Sequence, residues 1–507
     1  MYKKLTNHKF SGITLTVAAI SLIAATKTSA QISLNGQLRL RAEVRQGFGN
    51  LISEDAVPAS FISQRSRLTF GYKWDRLTFG AAVQDVRVWG QDASTISNND
   101  GNRLMLHEGW AELTLTNKAD TSIRFRLLDN LSFKIGRQEL VYDDARLIGN
   151  LDWLQQGRRF DMALLKAIHK GWQLEIGYAY NQNAENFTGT HYTPANIPQY
   201  IKNDQGELVL TPAGMIPLTA ANGNSSIAGN PTYINPPGTN AATQNYKNFL
   251  SFYFSKKVNQ TKFSCLFFKD DFARYRITTV AAGTGSVFGR TFDLKGTNDR
   301  YTFGGLFNPI IGNASSFGKI AIQGGYYKQM GEDRDGRELD AYHSTIAATY
   351  SKGKFTVGPG FDILSGNSAT TPGSESKRFD PLYGTPHKFW GYMDFFYAPT
   401  GSPAAGLKNY YLKSKFTAKA FFITADLHHF DTYHSLDATS QKALGDELDL
   451  AVNYSLNKFT NIELGYSIMK ATNAMPIAKG QSLAHNYDKT PQFGYLMVNI
   501  RPDFLTH

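Results

Sequence analysis

The sequence predicts an all-β protein: a transmembrane antiparallel β-barrel of about 18 strands that follows a cleaved signal peptide. Three observations predict this fold. Polar and apolar residues alternate with a period of two, the alternating segments are about ten residues long, and short connections alternate with long polar ones. A tilted strand needs about ten residues to cross a bilayer. Short turns on one side and long loops on the other are typical of outer-membrane barrels.

Residues 1–30 have the features of a secretory signal peptide. Lys3, Lys4 and Lys9 precede an apolar run from Ile13 to Ala25, and small residues then end at Ala30. A basic segment, an apolar segment and a small-residue cleavage site occur in this order in signal peptides. We therefore expect residues 1–30 to be removed and residues 31–507 to form the barrel.

Composition excludes several other classes of protein. The 507 residues include a single cysteine, which excludes a disulfide framework and a cysteine-based zinc cluster. Mean hydropathy is −0.33, too low for a bundle of membrane-spanning helices. The net charge of +11 is mild and no basic run occurs, so nucleic acid is not an expected partner. Neither a Gly-x-Ser-x-Gly elbow nor a P-loop occurs, and we expect no enzyme activity, no cofactor and no metal site.

The alternating pattern gives nineteen candidate strands, whereas single-chain bacterial barrels use an even number. With the N-terminus in the periplasm, every short turn should follow an even-numbered strand. This rule holds to the end of the chain only if Lys388–Phe396 belongs to an external loop, which leaves eighteen strands. The longest loop runs from about Asn181 to Gln244 and is expected outside the barrel or folded into its lumen.

The polar faces of the first strands predict an arginine-rich lumen. Strand one offers Arg39, Arg41 and Glu43, and strand two offers Arg65 and Arg67. Adjacent residues of a strand point to opposite faces, so each of these sets shares one side. Such a lumen would attract anions, with the acidic residues moderating the attraction so that cargo is not held too tightly.

Strand three poses a problem for this alternation. Leu77, Phe79 and Val83 face lipid, and the same phase places Asp85 and Arg87 on the lipid side. A charge at the bilayer midplane costs about 2–4 kcal/mol. We expect either a β-bulge near Asp85 or a position beyond the membrane edge.

The most distinctive stretch begins Gly136-Arg137-Gln138-Glu139, continues through Ala145-Arg146-Leu147-Ile148-Gly149 and Asp152-Trp153, and ends Gly157-Arg158-Arg159-Phe160-Asp161. This stretch resembles the alginate-export family of outer-membrane barrels. The tracts Asp85 to Gly90 and Lys377 to Gly391 look like further family segments. The resemblance implies an eighteen-stranded barrel in the outer membrane of a Gram-negative bacterium, with a constricted arginine-rich lumen that passes a uronate polysaccharide outward.

The predicted lumen-lining residues are drawn from both lines of reasoning. They are Arg39, Arg41, Glu43, Arg65, Arg67, Arg87, Arg137, Glu139, Arg146, Asp152, Arg159 and Asp161. Strict alternation places Arg137 and Glu139 in the lipid phase, so these two require the outer end of their strand or a bulge. The expected partners are outer-membrane lipid, an anionic polysaccharide cargo and, for export, periplasmic proteins.

Three functional classes fit this sequence. The first is a channel for an anionic polysaccharide or oligosaccharide. The second is a general or small-anion diffusion porin. The third is a surface receptor or structural barrel whose long loops bind a partner. Single-channel conductance with and without uronate oligomers distinguishes the first two classes. A barrel that conducts no current, and whose conductance uronates do not change, favours the third class.

Overall fold

The computed structural model describes residues 30–91, 104–118, 127–182, 197–234, 239–240, 244–313, 317–369, 373–397, 403–436 and 442–506. The predicted signal peptide therefore lies almost entirely outside the described residues. The described chain forms a closed antiparallel barrel of eighteen strands, which confirms the predicted fold class. None of the helices in the described ranges is long and apolar enough to span a membrane.

The strands are β1 (Gln31–Gln46), β2 (Ala59–Trp74), β3 (Leu77–Val88), β4 (Leu104–Asn117), β5 (Asn130–Gln138), β6 (Phe160–His169), β7 (Trp172–Tyr180), β8 (Tyr200–Lys202), β9 (Leu208–Leu210), β10 (Met215–Thr219), β11 (Asn230–Pro231), β12 (Asn248–Val258), β13 (Thr261–Ala273), β14 (Arg276–Ala282), β15 (Gly285–Thr291), β16 (Thr297–Asn308), β17 (Ile310–Asn313), β18 (Gly318–Glu332), β19 (Glu338–Lys352), β20 (Phe355–Leu364), β21 (Leu407–Thr417), β22 (Phe421–Asp431), β23 (Ala443–Ser455), β24 (Thr460–Ala471), β25 (Gln492–Ile500) and β26 (Asp503–Thr506). A 3-10 turn covers Pro386–Lys388, and one short helix, α1, covers Ala474–Ala478.

Each barrel strand pairs with its neighbours along the chain, and the last strand pairs with the first. β25 pairs with β1 from Leu38 opposite Ile500 onward, and β26 continues this pairing toward the start of β1. β17 likewise continues β16. We therefore count β16 with β17, and β25 with β26, as one barrel strand each. Closure matters because lipid cannot satisfy the hydrogen-bonding groups of an open sheet edge.

The short turns are built by residues that accept a left-handed backbone. β6 and β7 are joined by Lys170 and Gly171, which have φ values of 47° and 77°. Two consecutive positive φ values fit the tight hairpin turn whose twist matches that of the flanking strands. The short-turn end and the long-loop end of the barrel are therefore distinguished as the sequence predicts.

The outward face of the barrel carries an apolar belt. Large apolar side chains with at least a third of their surface exposed occur all around the wall, among them Leu68, Leu113, Ile135, Ile176, Phe303, Ile346, Leu412, Leu427, Leu464 and Leu496. A water-soluble monomer rarely exposes so extended an apolar surface. The belt is the lipid-facing band of a transmembrane barrel.

The segment Lys388–Phe396 is not a strand, as the turn-length rule predicts. It belongs to the connection between β20 and β21, which starts and ends at the long-loop side. It does not remain outside, however, because its backbone contacts the inner wall of β23. The Met393 amide donates to the Glu447 carboxylate at 2.9 Å, and Trp390 is fully buried. The loop therefore folds into the lumen.

The described part of the long loop that follows β7 contains β-structure. A four-stranded sheet has the order β11-β10-β15-β14, and β8 pairs with β9 in a separate hairpin. The strands β14 and β15 come from the next long loop, between β13 and β16. The two loops therefore build one small β-structure at the long-loop end, a pairing between distant segments that sequence alternation does not reveal.

Candidate functional site

Four arginines project from β1 and β2 into the barrel interior. Arg39 lies directly opposite Arg65 in the strand register, and Arg41 and Arg67 continue the row on either side. Arg39, Arg41 and Arg65 are at most 3% exposed. We call these four residues the arginine ladder. Like charges directly opposite each other destabilise a sheet, so the ladder requires anionic or polar partners.

Those partners come from the loop between β5 and β6. The Asp152 carboxylate accepts a hydrogen bond from Arg65 Nη2 at 2.7 Å and lies 3.4 Å from Arg39 Nη1. Arg39 Nη1 also donates to the Asp152 carbonyl at 2.7 Å, and Arg39 Nε donates to Gln155 Oε1 at 2.9 Å. One loop therefore supplies hydrogen-bond acceptors to both of these opposing arginines.

The electrostatic match is visible in Asp152 itself. Burial alone would raise the pKa of the Asp152 carboxyl, but the charges of Arg65 and Arg39 outweigh it and hold that pKa below its ordinary value. Its side chain remains 43% exposed. The carboxylate therefore contacts the ladder while part of its surface stays exposed.

An aromatic contact completes the attachment of this loop. The Arg41 guanidinium stacks over the Trp153 ring at 4.0 Å and donates to the Trp153 carbonyl at 2.7 Å. On its other side Arg41 pairs with Glu43 at 2.7 Å, and Glu43 also pairs with Arg45 at 2.6 Å. Glu43 thus neutralises part of the row of positive charge.

Glu139 reaches the interior although strict alternation places it outside. β5 ends at Gln138, so the chain turns inward and the strand periodicity no longer applies. The Glu139 carboxylate lies 2.8 Å from His107 Nε2, accepts from the Asn150 amide at 2.9 Å, and is 3.6 Å from Arg67. Glu139 is therefore the acidic partner of the fourth ladder residue.

A second loop packs against the first inside the barrel. The Tyr383 amide donates to the Leu147 carbonyl, and the Gly149 amide donates to the Tyr383 carbonyl, both at 2.9 Å. We call residues 139–159 and 373–397 together the lumenal plug. Tyr383 and Trp390 are fully buried in its apolar core, which extends to the inner wall. These two aromatic rings are therefore not available to stack on a sugar.

Arg146 lies within the plug and is fully engaged. Its Nη1 is 2.9 Å from Asp362 of the β20 wall, its Nε is 3.2 Å from Asp144, and its guanidinium stacks on Phe389 at 4.0 Å. Burial works against its charge, yet the two carboxylates hold the Arg146 pKa above its usual range. Arg146 thus ties the two plug loops to the wall.

Several predicted lumen residues lie on the outward face instead. Arg87 pairs with Asp85 at 2.6 Å beside Gln64 and Ser66 of β2. The expected bulge does exist, but its extra residue is on β4, so β3 keeps its alternation and places both charges outside. Mutual pairing at the long-loop end offsets the cost of their outward position.

The same correction applies to the start of β6. Arg137 and Asp161 face outward and form a two-point ion pair with both oxygens at 2.8 Å. Arg159 is half-buried, and its charge interacts with this outward pair. The alternation that begins at Phe160, which is buried inward, predicts this result, and the motif alone does not.

Two interior arginines were not singled out from the sequence. Arg158 is 8% exposed and donates to the Gly384 and Thr239 carbonyls. Arg300 of β16 lies opposite Asp270 in the register and pairs with it at 2.9 Å. Alternation could have identified both. Arg300 lies on the inward face of β16 with Thr302, and Arg158, just before β6 begins, is two residues from the inward-facing Phe160.

Comparison with known proteins agrees with this geometry. Residues 30–181 match the Alginate export family. The match covers less than half of the chain and includes the arginine ladder and the first plug loop, and it confirms the resemblance seen in the sequence. No curated protein matches the chain significantly.

Solved structures of similar fold are outer-membrane barrels. OccAB4 of Acinetobacter baumannii superposes with a TM-score of 0.54 at 11% identity, covering 94% of this chain and 99% of that one. OccK8 (OprE) of Pseudomonas aeruginosa gives 0.53 at 11%, covering 94% and 98%. The outer membrane protein opdK of Pseudomonas aeruginosa gives 0.51 at 11%, covering 93% and 99%. At such identities the likeness concerns the fold.

The fold, the apolar belt and the family match together support an outer-membrane channel protein of a Gram-negative bacterium. The family and the structural neighbours are membrane barrels rather than enzymes.

Proposed function

We propose that this barrel is a channel for an anionic polysaccharide or oligosaccharide, such as one built from uronates, and that the plug loop occupies the cargo site until cargo displaces it. The observation that carries this proposal is the position of Asp152. Its carboxylate bridges Arg39 and Arg65, which face each other across two wall strands.

A uronate presents the same chemical group as Asp152. The planar fork of arginine pairs with a carboxylate through two parallel hydrogen bonds, which a lysine cannot match. The ladder arginines extend from two paired wall strands, and Arg41 is held by Glu43 of its own strand. A carboxylate that replaces Asp152 therefore meets a preformed site, and little conformational freedom is lost on binding.

The plug also separates this proposal from the general diffusion porin. An open diffusion channel needs a water-filled bore. Here buried aromatic residues such as Tyr383, Phe389 and Trp390 form a packed core against the inner wall. A selective, displaceable plug suits a channel for a particular class of cargo better than free diffusion of small solutes.

Removing the charges of the ladder should abolish the preference for anions. In planar bilayers under a salt gradient, we expect the wild-type channel to show an anion-selective reversal potential. The double variant Arg65→Glu, Arg67→Glu is expected to reverse its sign, because charges in a narrow low-dielectric passage act more strongly than exposed ones.

The matched control is the double variant Arg137→Gln, Asp161→Asn, which removes an ion pair from the outward face of the same wall. It should leave the reversal potential unchanged. Cation selectivity in the wild type, or equal behaviour of the two double variants, would remove the basis for an anion channel and leave the porin or receptor class.

A further inference from the structure

A second group of arginines lies outside the ladder, around a cavity of about 570 Å³ at the long-loop end. Its floor is the plug, through Arg158 and Gly384, and its rim is the loop between β18 and β19, through Asp333 and Arg337. Arg337 is 53% exposed. The cavity is therefore open on the outer side while the plug is in place.

The lining has an excess of positive charge. Six arginines face three aspartates, and the full charged set is Arg158, Arg290, Arg300, Arg334, Arg337, Arg378, Asp333, Asp335 and Asp380. Asp380 pairs with Arg300 at 2.7 Å and with Arg334 at 3.5 Å. Burial opposes its ionisation, yet these two charges lower the pKa of Asp380 to about 2. Asp333 pairs with Arg337 at 2.8 Å and Asp335 with Arg290 at 3.0 Å, so each aspartate of the lining is paired and the arginines outnumber them.

Buried donors in this lining lack acceptors. Arg300 Nη2, Arg334 Nε and Arg290 Nε are buried nitrogens without a hydrogen-bond partner among the described residues. A buried donor without a partner costs about 1–3 kcal/mol. Arg300 itself is only 2% exposed. Three such donors around one cavity indicate that the cavity is built to hold an acceptor.

The uncharged lining indicates which anion fits. Ser376 and Asn230 supply groups that can exchange hydrogen bonds with hydroxyls. Asp333 and Asp335 at the rim repel a compact, densely charged anion such as phosphate. A sugar acid distributes one carboxylate and several hydroxyls over a ring, which matches a lining of arginines mixed with neutral polar groups.

We infer that this cavity is an external docking site for a uronate residue, distinct from the arginine ladder and filled from outside before the plug moves. The inference rests on the proposed function for its ligand class and adds a second site on the opposite side of the plug. It also implies that cargo can engage the barrel from the cell exterior.

Equilibrium binding tests this site independently of transport. Titration calorimetry on the detergent-purified full chain would use sodium glucuronate as the probe, with glucose and inorganic phosphate as comparisons. We expect binding of glucuronate only. The double variant Arg290→Gln, Arg334→Gln should weaken it at least about tenfold, which corresponds to about 1.4 kcal/mol.

The control is Arg276→Gln. Arg276 lies on β14, pairs with Asp293 and is not among the residues that line the cavity. It should bind glucuronate as the wild type does. Circular dichroism checks that each variant folds. If the double variant does not fold, Arg337→Glu at the exposed rim replaces it in the binding measurement. Unchanged binding in the cavity variants, or an equal loss of binding in Arg276→Gln, would overturn the inference. Loss of anion selectivity with intact binding would instead count against the proposed function only.

Discussion

Replacing Asp152 with asparagine is expected to raise the single-channel conductance of the barrel several-fold. The substitution keeps the size of the side chain but removes the negative charge that holds Arg39 and Arg65. Hydrogen bonds to charged groups contribute about 1.5–3 kcal/mol. Since 1.4 kcal/mol corresponds to a factor of ten, the undocked state of the loop should become at least about ten times more populated.

Planar-bilayer recording measures this effect directly. Asp161→Asn is the matched control, because Asp161 pairs with Arg137 on the outward face, away from the ladder. It should leave conductance at the wild-type value. Equal conductance in Asp152→Asn and wild type would show that the loop is held by contacts other than this carboxylate.

Acid should loosen the same contact in the wild-type protein. The Asp152 pKa lies below its ordinary value of 3.8 when the loop is docked, so docking is stabilised above that ordinary value and loses the stabilisation as pH falls through the lowered pKa. Conductance is therefore expected to rise below about pH 4. The Asp152→Asn channel lacks the titrating group and should show no such step.

The second large effect is expected from Trp390→Ala. Trp390 is fully buried between His343 of the wall and Tyr397 of the plug. Truncating a buried tryptophan to alanine costs about 3–5 kcal/mol. The barrel itself is closed by its own strand pairing, so we expect it to remain folded while the second plug loop becomes sensitive to protease and conductance rises.

Limited proteolysis followed by mass spectrometry locates the cleavage. Trp74→Ala provides the control, because Trp74 is 46% exposed at the short-turn end of β2. That variant should resist protease as the wild type does. A Trp390→Ala barrel that fails to assemble would mean that the plug core supports the wall rather than merely filling it.

Sequence periodicity was sufficient to assign the inward and outward faces of the wall strands. The inward position of Arg39, Arg41 and Glu43 follows from alternation, because each strand contacts the same two environments along its length. The same rule assigns Arg137 and Asp161 to the outside, and only their place in a recognisable motif suggested otherwise. Where motif and periodicity disagreed on a strand, periodicity was correct.

The plug could not be predicted in this way. Its contacts join residues far apart in the chain, such as Arg146 with Asp362 and Arg65 with Asp152. A loop has no repeating environment, so nothing in its local sequence encodes where it docks. The small sheet of β10, β11, β14 and β15 could not be predicted for the same reason, since its strands come from two different loops.

Under the proposed function, the attachment of Asp152 to a loop has a consequence for the length of the molecules that can pass. A group held on a short tether competes as if it were present at about millimolar concentration. A single dissolved uronate at micromolar concentration cannot overcome such a rival. A polymer brings its next carboxylate to the same row of arginines as soon as the first has bound, so its avidity rises with each unit. Because Asp152 is tethered, a site that recognises negative charge also selects long polymers over single sugar units.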